Sequence, residues 1–330
     1  SPVIDNVSMV DFLKRRGRDK SKINIFPSAS LTKNTEGKQM TEFGLLKRKG
    51  IVAFTDGIKT IQSPEVMARI MCLAGESNSL VMQHAEDNIL SKNGLINEGE
   101  ISTRLGLKGI PYLAEKIIVE RDLSLLEEYF CRYHISQISS EKTIPIIEKA
   151  KEEGKVFSTG VSINNLSLNE NDIGDFKTFL KLSPPLRTES DRNALVQAIN
   201  KGIIDVIVSD HKPEDEESKR LTFAQATTGA TGVETLLSLA LELFHNKSIK
   251  LDKLIASITS NPSKILSIDK GSLSKGRDAD ICIFNLNQPW TVNKNKLKSK
   301  SKNTSIEDKT LQSQVLKTFL KGELAYDAVK

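Results

Sequence analysis

The first two thirds of the chain alternate short apolar runs with longer amphipathic stretches. The apolar runs are rich in Val, Ile or Phe, as expected for strands that are buried on both faces of a parallel sheet. Alternation of this kind is typical of βα units. The predicted strands are Ile23–Pro27, Ile51–Thr55, Leu80–His84, Arg132–Ile138, Val156–Val161 and Ile204–Ser209.

Helical patterns separate these runs. Ser63 followed by Pro64 is a typical helix start, with a capping hydroxyl and a proline in the first turn. Six strand–helix repeats favour the α/β class and an incomplete (β/α)8 barrel of the TIM type. A doubly wound sheet should open with a G-x-G-x-x-G turn, and the sequence contains none. The clearest helical stretches are Val10–Arg16, Thr41–Arg48, Pro64–Leu73, Ile110–Phe130, Glu141–Glu153, Asp191–Asn200, Gly232–Phe244 and Leu251–Thr259.

The pattern changes after Gly271. Ala279–Phe284 and Gln314–Leu320 have the apolar character of strands, and a lysine-rich polar stretch lies between them. We therefore predict a barrel domain over residues 1–270 and part of a small β-subdomain over residues 271–330. Lysine occupies every second position from Lys294 to Lys302, which favours a solvated loop or edge over a phosphate contact.

Composition excludes several classes of function. The net charge of +5 is small and spread along the chain, so nucleic acid is not an expected partner. Apolar runs are too short for a membrane helix, and the residues from Ser1 onwards do not lead us to expect a signal peptide. The three cysteines form no C-x-x-C pair, so we expect a reducing cytoplasm rather than disulfides. Cys72 lies in a predicted helix and is expected to be buried rather than reactive.

Three predicted strands end in residues that can bind a metal ion. His84, Asp210 and Asp56 each lie at or just after the carboxyl end of an apolar run. Function gathers at that end of a barrel, and imidazole and carboxylate are ligands of catalytic zinc. Each residue alone is weak evidence, because a strand-end His is often structural and a strand-end Asp often caps a helix. Together they favour a metal site, whereas His134 lies within its strand and is expected to be packed or to line the barrel wall rather than to bind a metal.

The sequence resembles the dihydroorotases of the zinc-dependent amidohydrolase superfamily over nearly its whole length. The resemblance depends on several short motifs whose order and spacing together are specific. These are Gln83-His-Ala-Glu-Asp, Lys181-Leu-Ser-Pro-Pro-Leu-Arg187, Ser209-Asp-His-Lys-Pro213, Thr231-Gly-Val-Glu-Thr235, Asn261-Pro-Ser-Lys-Ile-Leu and Lys275-Gly-Arg-Asp-Ala-Asp-Ile.

This resemblance implies reversible hydrolysis of dihydroorotate to N-carbamoyl-aspartate, a step of pyrimidine biosynthesis. It implies one or two zinc ions with His84 and Asp210 as ligands and Asp56 as a third candidate. Asp210 would also be the catalytic acid/base. The implied substrate-binding residues are Ser183, Arg187, His211 and Glu214.

The sequence also departs from the family pattern. The family's H-x-H pair and the following Arg would precede Ser1, so we expect an N-terminally truncated chain whose barrel lacks its first strands. Gln137 stands where the family has a zinc-binding His, Ser183 replaces an Asn, and Glu214 replaces a His.

These departures leave three functions open. The chain is an active dihydroorotase, a related cyclic amidohydrolase with another substrate, or a catalytically degenerate scaffold partner of aspartate carbamoyltransferase. A homodimer is also left open.

Overall fold

The computed structural model describes residues 2–328 and contains both parallel and antiparallel sheet. Its α-helices are α1 (Val7–Lys20), α2 (Phe43–Arg48), α3 (Pro64–Glu76), α4 (Glu100–Leu105), α5 (Leu113–Glu128), α6 (Ile144–Glu152), α7 (Ile163–Ser167), α8 (Glu189–Lys201), α9 (Glu216–Lys219), α10 (Leu236–His245), α11 (Leu251–Ile258) and α12 (Ser260–Leu266). Short 3-10 helices span Lys33–Thr35, Glu170–Ile173, Thr178–Leu180 and Lys294–Lys296. The strands are β1 (Leu80–Gln83), β2 (Ile96–Asn97), β3 (Gly109–Ile110), β4 (Arg132–Ile135), β5 (Ser158–Ser162), β6 (Val206–Val208), β7 (Ile281–Thr291), β8 (Thr310–Leu320) and β9 (Glu323–Asp327).

Six parallel segments lie side by side in the order in which they occur along the chain. β1, β4, β5 and β6 form one continuous parallel sheet. Phe54 extends it through a parallel bridge to Val81, and Ala29 extends it again through a parallel bridge to Phe54. Helices between successive strands complete the βα units. The α/β barrel-type architecture predicted from the alternating pattern is therefore confirmed.

The predicted first strand, Ile23–Pro27, is wrong in position. Parallel pairing begins only at Pro27, whose carbonyl accepts a hydrogen bond from Val52 N at 3.2 Å, and continues through Ala29. Ile23 and Ile25 are 61% and 52% exposed, so their apolar side chains do not enter the core. An apolar run at the edge of a sheet looks like a buried strand in sequence, because hydrophobicity alone does not reveal pairing.

Helix α3 shows how the helices cover the sheet. Ser63 Oγ accepts a hydrogen bond from Val66 N, which confirms the predicted cap. Met67, Ile70 and Met71 on one face of this helix are fully buried. Cys72 lies on the opposite, exposed face. The expectation that Cys72 is buried is therefore wrong, because the helix turns its neighbours inward instead.

The C-terminal part forms a three-stranded antiparallel sheet of β7, β8 and β9. The two predicted strands there are present and longer than expected, whereas β9 was not predicted. The sheet packs on α10, where the Trp290 indole donates to Ser238 Oγ at 3.1 Å and to Ser313 O at 2.8 Å. The division of the chain at residues 270 and 271 stays a prediction.

The loop between β7 and β8 carries the alternating lysines and then returns to the barrel. Asn303 makes this return contact, because its carbonyl accepts from Thr231 N at 3.0 Å. Its side-chain oxygen also accepts from Glu214 N at 3.3 Å. In the described part of the chain, no helix is both long and apolar enough to cross a membrane.

His134 lies inside β4 and is 3% exposed, in agreement with the expectation that it is packed. Its Nδ1 lies 2.8 Å from Ser158 Oγ on the neighbouring strand β5. Burial, assisted by the charge of Lys151, lowers the pKa of His134 from 6.5 to about 4. The folded protein therefore holds this imidazole neutral at a pH at which the unfolded chain protonates it.

The lowered pKa of His134 in the folded protein predicts a loss of stability in mild acid. Because the unfolded state binds the proton first, stability falls as the pH decreases from 6.5 towards 4. Between pH 6.5 and pH 5, His134 should account for about 2 kcal/mol of that loss. His134→Gln, which keeps a polar group beside Ser158, should show a correspondingly shallower pH dependence of unfolding in urea. An identical pH dependence in parent and variant would contradict the prediction.

Candidate active site

His84 follows β1 directly and is buried, with 3% of its surface exposed. Its Nε2 lies 3.2 Å from Ser183 Oγ and 3.7 Å from a carboxylate oxygen of Glu86. Burial opposes ionisation of Glu86, but the hydrogen bond and charge of His84 outweigh it and lower the pKa of that carboxyl. His84 is thus held between a hydroxyl and a carboxylate at the strand end.

Asp210 lies two residues beyond β6 and is mostly buried. Its Oδ1 accepts a hydrogen bond from Gln137 Nε2 at 3.0 Å, and its Oδ2 accepts one from Ser162 Oγ at 3.3 Å. Burial raises the pKa of Asp210, whereas these two donors and the nearby charge of His84 act in the opposite direction. The carboxylate is therefore oriented by two side chains at the ends of neighbouring strands.

The backbone of Asp210 is left-handed, with φ +48°. A non-glycine residue seldom adopts this conformation, although Asp tolerates it better than most. Such residues cluster at functional sites, where the surrounding structure holds them in place.

Asp56 turns its carboxylate towards a different neighbour. Its Oδ1 accepts from Thr32 N at 3.0 Å, and its Oδ2 accepts from the Thr32 hydroxyl. Burial raises the pKa of Asp56, and the hydrogen bonds from Thr32 lower it. The role of Asp56 as a metal ligand stays a prediction.

Two of the four predicted substrate-binding residues, Ser183 and Arg187, have different surroundings. Ser183 contacts His84 and so lies within the site. Arg187 is 4% exposed, and its guanidinium donates to Ser139, Asn97 and the backbone of Ile110. No observation tests their contact with substrate, so these assignments remain predictions.

His211 and Glu214 lie beyond the end of β6. His211 Nδ1 accepts from Gly232 N at 3.1 Å, which places the ring proton on Nε2. Residue 232 must be glycine, because a Cβ there would collide with the carbonyl oxygen of Ser209. The Glu214 carboxylate lies 3.4 Å from Lys212 Nζ, so its negative charge is partly balanced.

Sequence reasoning missed two residues that contact the site. Ser162 is the last residue of β5, and its hydroxyl contacts Asp210. The rule that barrel strands deliver function at their carboxyl ends could have found it. Glu86 is part of the quoted Gln83-His-Ala-Glu-Asp motif and lies against His84. The motif therefore already contained Glu86, although no role was predicted for that residue.

Comparisons with known proteins show which sequences and structures this chain is similar to. Residues 2–143 match the family described as Dihydro-orotase-like. The chain is 38% identical over 330 residues to the dihydroorotase of Ehrlichia canis (strain Jake), covering all of this chain and 73% of that protein. It is 36% identical over 325 residues to the dihydroorotase of Syntrophus aciditrophicus (strain SB), covering 98% of this chain and 76% of that protein.

The chain belongs to the dihydroorotase family. Solved structures of cyclic amidohydrolases share the fold of this dihydroorotase-family chain. L-hydantoinase (dihydropyrimidinase) from Arthrobacter aurescens matches with a TM-score of 0.87 and 20% identity, covering 98% of this chain and 74% of that one. Dihydropyrimidinase from Brevibacillus agri NCHU1002 matches with a TM-score of 0.82 and 20% identity, covering 96% of this chain and 72% of that one.

Membership of this metal-dependent family implies a divalent metal ion, and the side chains test that implication. A catalytic metal usually has three protein ligands and an open position. His84 and Asp210 offer an imidazole and a carboxylate, but Gln137 directs an N–H donor rather than a lone pair towards Asp210. Residues 2–328 contain no group of three His, Cys, Asp or Glu side chains that could hold a metal. The described side chains therefore do not by themselves fit the metal.

Replacing Gln137 tests whether this side chain stands in the place of a third metal ligand. Gln137→His should raise the zinc content of the purified protein, because an imidazole beside Asp210 would add a third ligand. Elemental analysis of parent and variant after zinc loading and desalting measures the effect. Gln312→His, at an exposed position of β8, is the matched control. Unchanged zinc content in Gln137→His would mean that residue 137 does not face the metal-binding position.

Proposed function

We propose that this chain catalyses the reversible hydrolysis of dihydroorotate to N-carbamoyl-aspartate. The observation that carries the proposal is the mostly buried Asp210 carboxylate, oriented by two donors at the barrel end that also holds His84. Curated relatives named dihydroorotase extend over the whole chain, which supports this substrate over other ring amides.

Asp210 would move the proton in this reaction. In the hydrolytic direction, the oxygen of water bonds to the ring carbonyl carbon and the ring C–N bond breaks. Asp210 would accept the proton of the attacking water and deliver it to the departing ring nitrogen. Burial keeps the pKa of Asp210 above that of an exposed aspartate, which makes its protonated form more accessible. Gln137 and Ser162 would hold the carboxylate in line during both transfers.

Ser183 is proposed to bind the substrate beside His84, because its hydroxyl already lies within hydrogen-bond distance of that ring. His211 is proposed to offer its Nε2–H at the same strand end, since Gly232 occupies the other nitrogen. Glu214 would line the substrate position and oppose a carboxylated ring, although Lys212 moderates its charge.

Zinc is the metal that we propose for this site, in one or two ions. Imidazole and carboxylate are among its usual ligands, and His84 and Asp210 would supply one of each. Zinc here would need at least one ligand more than the described side chains provide. A cytoplasmic location is also proposed, and the three cysteines, which are all free thiols, support it.

A second function is favoured by the Gln137–Asp210 hydrogen bond. An amide that donates to the carboxylate makes a metal-poor site, as expected for a catalytically degenerate scaffold. The partner would be aspartate carbamoyltransferase, and a homodimer is an alternative assembly. A folded parent that shows neither zinc nor turnover, but binds purified aspartate carbamoyltransferase, would support this function over the enzyme.

Asp210→Asn tests the proposed acid/base. The variant should lose dihydroorotate hydrolysis by about a hundredfold or more, since an amide cannot exchange the proton. Turnover is measured from the ring absorbance of dihydroorotate, and circular dichroism checks that the variant is folded. Asp175→Asn, an exposed exchange of the same kind, should match the parent. Equal rates for parent and Asp210→Asn would remove Asp210 from the mechanism.

Glu214→Gln tests the position of the substrate carboxylate. Removing the like charge should lower KM for dihydroorotate by roughly fivefold and leave KM for an uncharged ring such as dihydrouracil nearly unchanged. Glu323→Gln, on the exposed β9, is the matched control. A KM that changes equally for both rings would place Glu214 away from the carboxylate.

A further inference from the structure

A buried carboxylate fixes the turn that follows β4. Glu115 on α5 is 3% exposed and accepts four hydrogen bonds from this turn. They come from Ser139 N at 2.8 Å, Ser139 Oγ at 2.5 Å, Ser140 N at 3.2 Å and Thr143 Oγ1 at 2.6 Å. A carboxylate that accepts several hydrogen bonds, two of them from backbone N–H groups, holds a loop firmly because each bond is charge-assisted.

Arg187 also holds the turn after β4, through a hydrogen bond to Ser139. Its Nε donates to Ser139 Oγ at 2.7 Å, and its Nη1 donates to Asn97 Oδ1 at 2.8 Å and to Ile110 O at 3.3 Å. Ser139 Oγ therefore donates to Glu115 and accepts from Arg187. The guanidinium uses its fixed fork to join the turn to the short β2–β3 pair.

Asn97 connects Arg187 to a second buried carboxylate. Its Nδ2 donates to Glu170 Oε2 at 2.7 Å, and Glu170 N donates back to the Arg187 carbonyl at 2.8 Å. Glu170 is 7% exposed. The positive charge of Arg187 is thus linked to two buried acids through neutral side chains, which lowers the cost of burying all three.

This set of contacts sits next to Gln137. The backbone on either side of Gln137 is held by the sheet, through Ser136 N to Gln83 O and Ile138 N to Gly160 O, each at 3.0 Å. Ser139 follows Ile138 directly. Beyond the last sheet hydrogen bond, the chain is held by the contacts of Ser139 with Glu115 and Arg187. The contacts of Ser139 therefore fix the chain two residues beyond Gln137, whose side chain donates to Asp210.

We propose that Arg187 and Glu115 are positioning residues that fix Gln137 against Asp210 through Ser139, and that Arg187 does not bind the substrate carboxylate. The kinetic part of this inference rests on the proposed function. Its structural part concerns only the turn after β4 and can be tested in a protein without turnover.

Arg187→Lys and Asn97→Ala separate positioning from substrate binding. Lysine keeps the charge but cannot reach Ser139 and Asn97 together. Both variants should therefore lower kcat roughly tenfold or more, equally for dihydroorotate and for uncharged dihydrouracil, with little change in KM. Arg69→Lys and Asn193→Ala, two exposed exchanges of the same kinds, should match the parent. A rise in KM that is confined to the Arg187 variant and to the carboxylated ring would overturn the proposal.

Amide hydrogen exchange measured by mass spectrometry tests the structural part. In both variants, peptides covering residues 137–143 should exchange faster than in the parent. Each variant weakens the hold of Arg187 on Ser139, so the hydrogen bonds from Ser139 N and Ser140 N to Glu115 should open more often. Peptides covering β1 should stay protected, which shows that the barrel remains folded. Unchanged exchange at 137–143 would overturn the proposal. If the parent lacks turnover, the proposed function fails and this measurement alone decides the inference.

Discussion

Six segments of the chain pair in parallel, and this pairing decides where the site lies. Because neighbouring strands run in the same direction, their carboxyl ends meet at one edge. This pairing brings four side chains to the same end of the barrel: His84 after β1, Gln137 after β4, Ser162 at the end of β5 and Asp210 after β6. Residues that are far apart in sequence thereby become neighbours without a dedicated binding loop.

Much of this arrangement could be predicted from the sequence. Alternating apolar runs and amphipathic stretches located the parallel strands, and strand ends located His84 and Asp210. The first strand was misplaced, since Ile23 and Ile25 have the hydrophobicity of a core strand but lie exposed before the first paired residue. Hydrophobicity reports burial only on average and does not specify the hydrogen-bond partner.

Side-chain direction was beyond the reach of sequence reasoning. Gln137 was identified as a departure from the family pattern, but its donation to Asp210 depends on the turn that follows it. That turn is held by Glu115 and Arg187, which are 72 residues apart in the chain and meet through Ser139. No local spacing encodes such a contact, because it exists only after the barrel has formed.

Asn303 joins the C-terminal part of the chain to the barrel. Its carbonyl and side chain bind Thr231 and the backbone of Glu214, which follows the strand that positions Asp210. The loop between β7 and β8 of the antiparallel sheet thus supplies part of the rim of the barrel. Exchanging that sheet for one from another protein would alter the rim as well, so the two parts are expected to evolve as a single inherited unit.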